Sequence, residues 1–177
     1  ALTKNEHAEQ LHQMEKIAKS VQSMLSAATE DSALISTSLY MDNSLQDFVS
    51  RQYASPQDYF SSYREYIHNS LLQGVSRITN SVIRVYADNE TLINGSEFAR
   101  LSTVSQEPWY QQYTADGYSP RLLFSYDETD GRQVLFLRGM NGLYSNKAEC
   151  LLCIGINYST LDRDFQNMGY NDSVYVC

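Results

Sequence analysis

A long stripe of apolar residues near the amino terminus constrains the fold more than any other feature of the chain. Apolar side chains recur three or four residues apart, which places them on one face of a helix: Leu11, Met14, Ala18, Val21, Leu25 and Ala28. The pattern resumes at Ile35 and Leu39 after a break at Ser32. A helix over residues 3–41 would be about 55 Å long, which exceeds the width of a compact domain of this size. We therefore expect residues 1–41 to form a stalk-like helix that projects in part, although a helix packed along a core would show the same stripe.

Two helix starts follow this stripe. Ser44 and Ser55 each stand three residues before an aspartate, and Pro56 suits the first position of a helix because its missing N–H costs nothing there. Bulky side chains then recur every four residues: Tyr59, Tyr63, Ile67 and Leu71. This spacing predicts an amphipathic helix whose aromatic face packs on a sheet.

The rest of the sequence predicts strands separated by short helices. Runs of β-branched and aromatic residues predict strands at 82–86, 91–93, 122–126, 133–138 and 150–156, with short helices at 105–113 and from 159 onward. Asp130-Gly131 suits the turn of a hairpin. Helices followed by a run of strands favour an α+β fold, with a long amino-terminal helix and a mostly antiparallel sheet flanked by short helices.

The charge and the composition exclude several classes of function. The 177 residues include 13 Lys or Arg and 21 Asp or Glu, so the net charge is −8 and no broad basic face is available to bind phosphates. We therefore expect no nucleic-acid partner. No apolar run approaches the roughly 20 residues that a membrane-spanning helix needs. Because the chain begins in helical sequence and stops after strand-like residues, we expect it to be part of a longer protein.

Side chains that could carry catalysis or bind a metal are sparse. The three histidines lack a second ligand at the spacing of a zinc site on a helix, so neither a metal nor any other cofactor is predicted. The sequence contains no glycine-rich phosphate loop and no nucleophile elbow. Glu107 with Asp127 or Asp130 could form the carboxylate pair of a hydrolase, but a chain with 21 acids offers many such pairs.

The cysteines have two interpretations. Cys150 and Cys153 lie in a predicted strand, where residues three apart point to opposite faces about 10 Å from each other, beyond the reach of a disulfide. One of them could form a bridge to Cys177 in an oxidising compartment, or all three could be buried thiols.

Aromatic residues and arginines indicate a recognition surface. We expect the short helix at 105–113 to present its aromatic side chains to strands that carry Tyr86, further aromatics and two arginines. Such side chains enclose small polar or carboxylate ligands through stacking, cation–π contacts and the guanidinium fork. The candidate ligand-binding residues are Trp109, Tyr110, Tyr113, Tyr126, Arg138 and Arg84. Ordinary packing of amphipathic aromatics is the alternative for each of these tyrosines and for the tryptophan.

The order of these elements resembles the Cache, or PAS-like, extracytoplasmic sensor domain of bacterial membrane receptors. The resemblance rests on the long first helix, residues 82–88, the Trp109-Tyr110 helix, two strands and residues 155–161. The chain is most similar to the ectodomains of transmembrane histidine kinases.

The resemblance implies how the chain is divided and what it binds. Residues 42–172 would form the membrane-distal, PAS-like sensor lobe of a double-Cache domain, and residues 173–177 would be the first strand or linker toward a second lobe. In the amino-acid-binding branch of the family an arginine stands two residues before the Trp-Tyr pair. Glu107 occupies that position here, which argues against an amino acid and for a sugar, a cation or another small ligand, or for none.

The resemblance also implies a mechanism without turnover. Ligand binding in the pocket would shift the sheet, and the long helix would transmit the shift to a membrane segment outside this sequence. The lobe would lie on the extracytoplasmic side of a bacterial membrane, in a homodimer formed through the long helix of a two-component receptor. The alternatives are a chemotaxis-receptor ectodomain of the same fold, the secreted hydrolase, and a structural or adhesive module without a ligand.

Overall fold

A computed structural model describes residues 3–79, 81–127, 131–140 and 149–167 of the chain. Its helices are α1 (Lys4–Tyr40), α2 (Asn43–Ser50), α3 (Pro56–His68), α4 (Leu71–Thr79), α5 (Pro108–Ala115) and α6 (Tyr158–Asn167), with a short 3₁₀ turn at Leu101–Thr103. Its strands are β1 (Val82–Ala87), β2 (Phe98–Arg100), β3 (Arg121–Asp127), β4 (Gly131–Gly139) and β5 (Cys150–Asn157). The predicted α+β class, with a long first helix and a mostly antiparallel sheet, is confirmed.

Helix α1 is continuous over 37 residues and does not break at Ser32. It begins with a capping box, in which the Thr3 hydroxyl accepts from the Glu6 N–H and the Glu6 carboxylate accepts from the Thr3 N–H. Its buried residues lie in the last third of the helix: Ser32, Ser36 and Leu39. Residues 3–16 are all exposed, so the amino-terminal part of α1 extends away from the packed body. None of the described helices, α1 included, combines the length and the apolar character needed to cross a membrane.

The five strands form one sheet in the order β2-β1-β5-β4-β3. β1 pairs with β2 in parallel, and the β1–β5, β5–β4 and β4–β3 pairs are antiparallel. The predicted strands that became β1, β3, β4 and β5 are present. The predicted strand at 91–93 is wrong, because these residues lie in a turn and the parallel partner of β1 is Phe98–Arg100 instead.

Apolar side chains pack on both faces of the sheet. On one face, Val85 of β1 and Leu152 of β5 belong to a cluster that includes side chains of α1, α2, α3 and α4. On the other face, Tyr86 of β1 and Leu151 of β5 belong to a cluster that includes side chains of α5. We call these the α1 face and the α5 face of the sheet. The side chains of each strand alternate between the two faces.

Asn89 ties the helical layer to the sheet. Its side chain lies in the loop after β1 and is 2% exposed. Its Nδ2 group donates to the carbonyl oxygens of Val49 (2.9 Å) and Arg51 (2.8 Å) at the end of α2. Its Oδ1 atom accepts from the N–H (3.0 Å) and the hydroxyl (2.7 Å) of Thr91. Because this side chain closes a local turn through Thr91, residues 91–93 leave the sheet.

The two described cysteines are buried on opposite faces. Cys150 packs in the cluster of the α1 face and Cys153 in the cluster of the α5 face, as the strand periodicity predicts. Both are thiols and not halves of a disulfide. Cys177 lies outside the described residues.

We expect Asn89→Ala to lower the free energy of unfolding by about 2–4 kcal/mol. The substitution leaves two carbonyl groups at the end of α2 and the Thr91 donors without their buried partner. Urea unfolding followed by circular dichroism measures this change. Asn43→Ala, at an exposed position at the start of α2, is the control and should change the value by no more than about 0.5 kcal/mol. Equal effects of the two substitutions would contradict the role assigned to Asn89.

We expect Cys150 and Cys153 to resist thiol reagents in the folded protein. Burial raises the pKa of both thiols to about 12. Only the thiolate is nucleophilic, and at pH 8 about one thiol in ten thousand would be ionised. In a Cys177→Ser background, a chromogenic disulfide reagent should label neither thiol before unfolding and both after it. Rapid labelling of either thiol in the native protein would show that the strand is open to solvent.

Candidate functional site

A cleft of about 610 Å³ opens on the α5 face of the sheet. Its walls include Val104, Glu107 and Trp109, which lie on the segment that leads into α5 and on its first turn. Its floor is formed by strand residues that include Arg84, Tyr86, Gln133, Leu135, Cys153 and Gly155. A cleft of this volume is large enough for a small organic molecule.

The start of α5 presents one carboxylate and one large aromatic ring to the cleft. Pro108 occupies the first turn of the helix, and Glu107 precedes it at the cap position. The Glu107 side chain makes no capping hydrogen bond and lines the cleft. The ring of Trp109 lies 6.0 Å from the ring of Tyr86, at an angle of 46°. The indole and the phenol thus form an aromatic wall against which a flat or apolar group can pack.

Charges of both signs surround the Tyr86 hydroxyl. Burial raises the pKa of Tyr86 above its ordinary value, Cys153 and Glu107 raise it further, and Arg84 lowers it through a hydrogen bond and its charge. The phenol is therefore protonated at neutral pH and can donate a hydrogen bond. Arg84 is exposed, and its Nε donates to the Ser96 carbonyl oxygen at 3.2 Å, which orients the guanidinium. The cleft thus offers a cation, an anion and a hydroxyl to a polar ligand.

Gly155 keeps the floor of the cleft open. It lies within β5, opposite Val82 of β1 and Leu135 of β4. A Cβ at this position would lie 3.6 Å from the Val82 carbonyl oxygen and 3.9 Å from Leu135 Cδ2, which are ordinary van der Waals distances. A glycine inside a strand often marks a place where a ligand approaches the backbone closely. Alanine would therefore fit here, and a larger side chain would extend into the cleft.

The structure places three of the six predicted ligand-binding residues at the cleft: Arg84, Trp109 and Tyr126. Trp109 is half-buried, whereas Tyr126 is 71% exposed and lies at the rim, on the edge strand β3. Tyr110 packs beside Trp109 with the two rings perpendicular, at the margin of the cluster on the α5 face. It is not part of the described lining of the cleft.

Tyr113 lies in the core and not in the cleft. Its side chain is 1% exposed and packs in the cluster of the α5 face. Its hydroxyl donates to the Tyr118 carbonyl oxygen and accepts from the Gly139 N–H, both at 2.8 Å. Tyr113 is therefore a core residue, which is the alternative to ligand binding that the sequence leaves open for the aromatic residues.

The expectation that Arg138 faces the aromatic helix is wrong. Arg138 lies on the α1 face of β4, because strand residues alternate and its neighbour Leu137 packs on the α5 face. Its Nη1 donates to Ser36 Oγ (3.0 Å) and Thr37 Oγ1 (2.9 Å) of α1. Its guanidinium lies 5.1 Å from the centre of the Tyr40 ring. Arg138 thus attaches α1 to the sheet.

Sequence reasoning missed part of the polar lining of the cleft. Ser125 of β3 and Gln133 of β4 are paired across the two strands and both line the cleft. Their spacing in the sequence carries no sign of this, because the pairing depends on the register of the hairpin. Gly155 could have been identified as a site residue from the sequence, because an isolated glycine inside an apolar strand often marks a place where a ligand approaches the backbone.

A second cleft, of about 710 Å³, lies among α1, α2, α3 and α4 and the segments that join them. Its described lining contains no residue of the sheet. Asp42 in this cleft caps α2 by accepting from the Ser44 N–H, and Arg51 is held by Asp58 at 2.8 Å. Because Asp42 and Arg51 have structural partners, whereas Glu107 makes no capping hydrogen bond to α5, we assign the functional site to the cleft on the α5 face.

One member of the carboxylate pair considered for a hydrolase can be placed. Glu107 lines the cleft, whereas the Asp127 side chain and Asp130 lie outside the described part of the chain. Within the described residues, no group of three His, Cys, Asp or Glu side chains is arranged to hold a metal ion.

No family model, no curated protein and no solved structure matches this chain. The resemblance to Cache sensors therefore stays a prediction, and the interpretation of the cleft rests on its own residues.

We expect Tyr113→Phe and Tyr126→Phe to have unequal effects on stability. The Tyr113 hydroxyl is the partner of a part-buried N–H and of a part-buried carbonyl group, and its loss costs about 1–3 kcal/mol of unfolding free energy. Loss of the Tyr126 hydroxyl, at the exposed rim, should cost no more than about 0.5 kcal/mol. Urea unfolding of the two variants measures both values. A larger loss for Tyr126→Phe would show that the core and rim positions are assigned wrongly.

Proposed function

We propose that this chain is the ligand-binding part of a sensor domain. A small polar molecule binds in the cleft on the α5 face, and the resulting change in the sheet is passed to α1. One observation carries the proposal: the cleft and the attachment of α1 lie on opposite faces of the same strands. The mostly antiparallel sheet flanked by helices is also what the sequence resemblance to a PAS-like lobe implies, and it supports the proposal.

The side chains of the cleft favour a ligand with a polar group and a flat or apolar part. Arg84 and Glu107 can pair with charges or hydroxyl groups, and Tyr86 can donate a hydrogen bond. Trp109 and Tyr86 provide a surface for stacking. A sugar, an organic acid or an organic cation satisfies this description.

The proposed mechanism is conformational and requires no turnover. A ligand shifts the equilibrium between two arrangements of the sheet only if it binds one of them more tightly. Couplings of this kind usually amount to about 1–3 kcal/mol, which is about 5- to 150-fold in affinity. The extended helix α1 is the element that carries the shift out of the lobe.

We further propose that α1 leads toward a membrane segment outside this sequence and that two copies pair through it. The exposed stripe of α1 supports pairing, since Leu11 and Met14 are 50% and 65% exposed and a second helix would bury them. The lobe would then lie on the extracytoplasmic side of a bacterial membrane. Both a histidine kinase and a chemotaxis receptor fit this arrangement, because the two classes share the sensor lobe and differ in the output module.

Thermal unfolding of the full chain in the presence of small molecules tests the proposal. The panel contains amino acids, organic acids, sugars, polyamines and nucleobases. Binding to the folded state alone adds about 2.7 kcal/mol of stability at a hundredfold excess over Kd. For a chain of this size the midpoint Tm should rise by roughly 5–10 °C. We expect one chemical class to produce such a rise.

Variants of Gly155 separate binding in the cleft from binding elsewhere. Gly155→Val should abolish the rise because its methyl groups fill the floor, whereas Gly155→Ala should keep it because the added Cβ makes only ordinary contacts. Trp109→Ala, which removes the aromatic wall, should weaken binding independently. The unliganded Tm of each variant shows whether it is folded. A panel without any rise, or a rise that Gly155→Val leaves intact, would overturn the proposal.

A further inference from the structure

We propose that Arg138 and Gly139, two consecutive residues near the end of β4, couple α5 to α1 through the sheet. Gly139 is hydrogen-bonded to α5, the helix beside the cleft. Arg138 is hydrogen-bonded to α1, on the opposite face of the sheet. The proposed function rests on the cleft, and this inference adds the path by which a movement at the cleft reaches α1. It depends on the proposed function only for the nature of the signal that it carries.

The link to α5 is a hydrogen bond to the backbone of the strand. The Gly139 N–H donates to the Tyr113 hydroxyl at 2.8 Å. Tyr113 lies four residues after Trp109, one helical turn away, so a movement of the aromatic wall moves both side chains. A Cβ at Gly139 would lie 3.5 Å from the Tyr113 hydroxyl oxygen, an ordinary van der Waals distance, so the link consists of the backbone N–H and does not require a glycine at this position.

The link to α1 is made by the side chain of the preceding residue. Arg138 donates from Nη1 to Ser36 Oγ and Thr37 Oγ1 and lies over the Tyr40 ring. These three residues lie in the last two turns of α1, where the helix joins the packed body. Ser36 is fully buried, so this attachment is shielded from water on one side.

The segment that carries the two links is anchored in the sheet, which limits its independent movement. Arg138 and Gly139 pair with Leu152 and Leu151 of β5, and the preceding residue, Leu137, also pairs with Arg121 of β3. Because a planar peptide bond joins Arg138 to Gly139, a displacement of Gly139 by Tyr113 also displaces the Cα of Arg138. The two attachments therefore share a single piece of backbone, and a two-state movement of α5 has a physical route to α1.

Amide hydrogen exchange of the full chain tests this coupling without any ligand. Wild type is compared with Tyr113→Phe, which removes the bond to Gly139, and with Tyr110→Phe as the matched control. Tyr110 lies on the same helix, and its hydroxyl makes no hydrogen bond to the described residues of β4. In Tyr113→Phe we expect exchange to accelerate about fivefold both in α5 and in the last two turns of α1, the factor that loss of one hydrogen bond produces in a local opening. Helix α3, which neither link contacts, reports the global loss of stability in this variant, and exchange there should accelerate less than in α5 and in the last two turns of α1.

Arg138→Met tests the same coupling from the other side. Coupling between two sites is reciprocal, so removal of the bonds to α1 should accelerate exchange in α5. Acceleration confined to α5 in Tyr113→Phe and to α1 in Arg138→Met would overturn the inference. Equal acceleration of α3 would overturn it too, because it would mark a global loss of stability. If no molecule of the thermal-unfolding panel raised Tm, the proposed function would be overturned, but the hydrogen-exchange evidence for coupling between α5 and α1 would be unaffected. The failure of the proposed function and the failure of this inference are therefore distinguishable.

Discussion

The pairing of β5 with both β1 and β4 is the constraint on which the rest of the molecule depends. β5 contributes alternate side chains to the clusters on the two faces of the sheet: Cys150, Leu152 and Ile154 on the α1 face, and Leu151 and Cys153 on the α5 face. Burial of a large apolar side chain contributes roughly 1.5–3 kcal/mol, so neither face can be left uncovered. The helices take their positions from this requirement. α1, α2, α3 and α4 cover one face, and α5 covers part of the other.

The candidate site arises where that coverage is incomplete. Gly155 contributes no side chain to the α5 face, and α5 is only eight residues long, so part of this face stays open as the cleft. Beside the aliphatic side chains of its lining, the cleft contains the polar or aromatic groups of Arg84, Tyr86, Glu107 and Trp109. An apolar opening of this kind would favour collapse or aggregation, whereas a polar one can remain hydrated until a ligand displaces the water.

Short-range sequence patterns were sufficient to predict the helices and strands whose formation depends on residues close together in the chain. The stripe from Leu11 to Leu39 predicts α1 because helical periodicity is a property of the segment itself, and Pro108 marks the start of α5 for the same reason. Ser32 interrupts the apolar stripe, but α1 is continuous there, and the serine is buried where the helix packs on the body. The turn at 91–93 was misread as a strand. Its geometry depends on bonds from Asn89 to α2, about forty residues earlier in the chain.

The sequence by itself determined the fold class, the extended first helix, four of the five strands and the aromatic character of α5, because each follows from a short-range period or a turn residue. Only the tertiary structure decided which residues share a face. Residues 134–137 of β4 are all apolar, so alternation along the strand does not reveal which side carries Arg138. The packing of α1 and α5 on opposite faces of the sheet resolves that ambiguity: it brings Arg84, Glu107 and Trp109 to one cleft and directs Arg138 to the other face, where it binds α1.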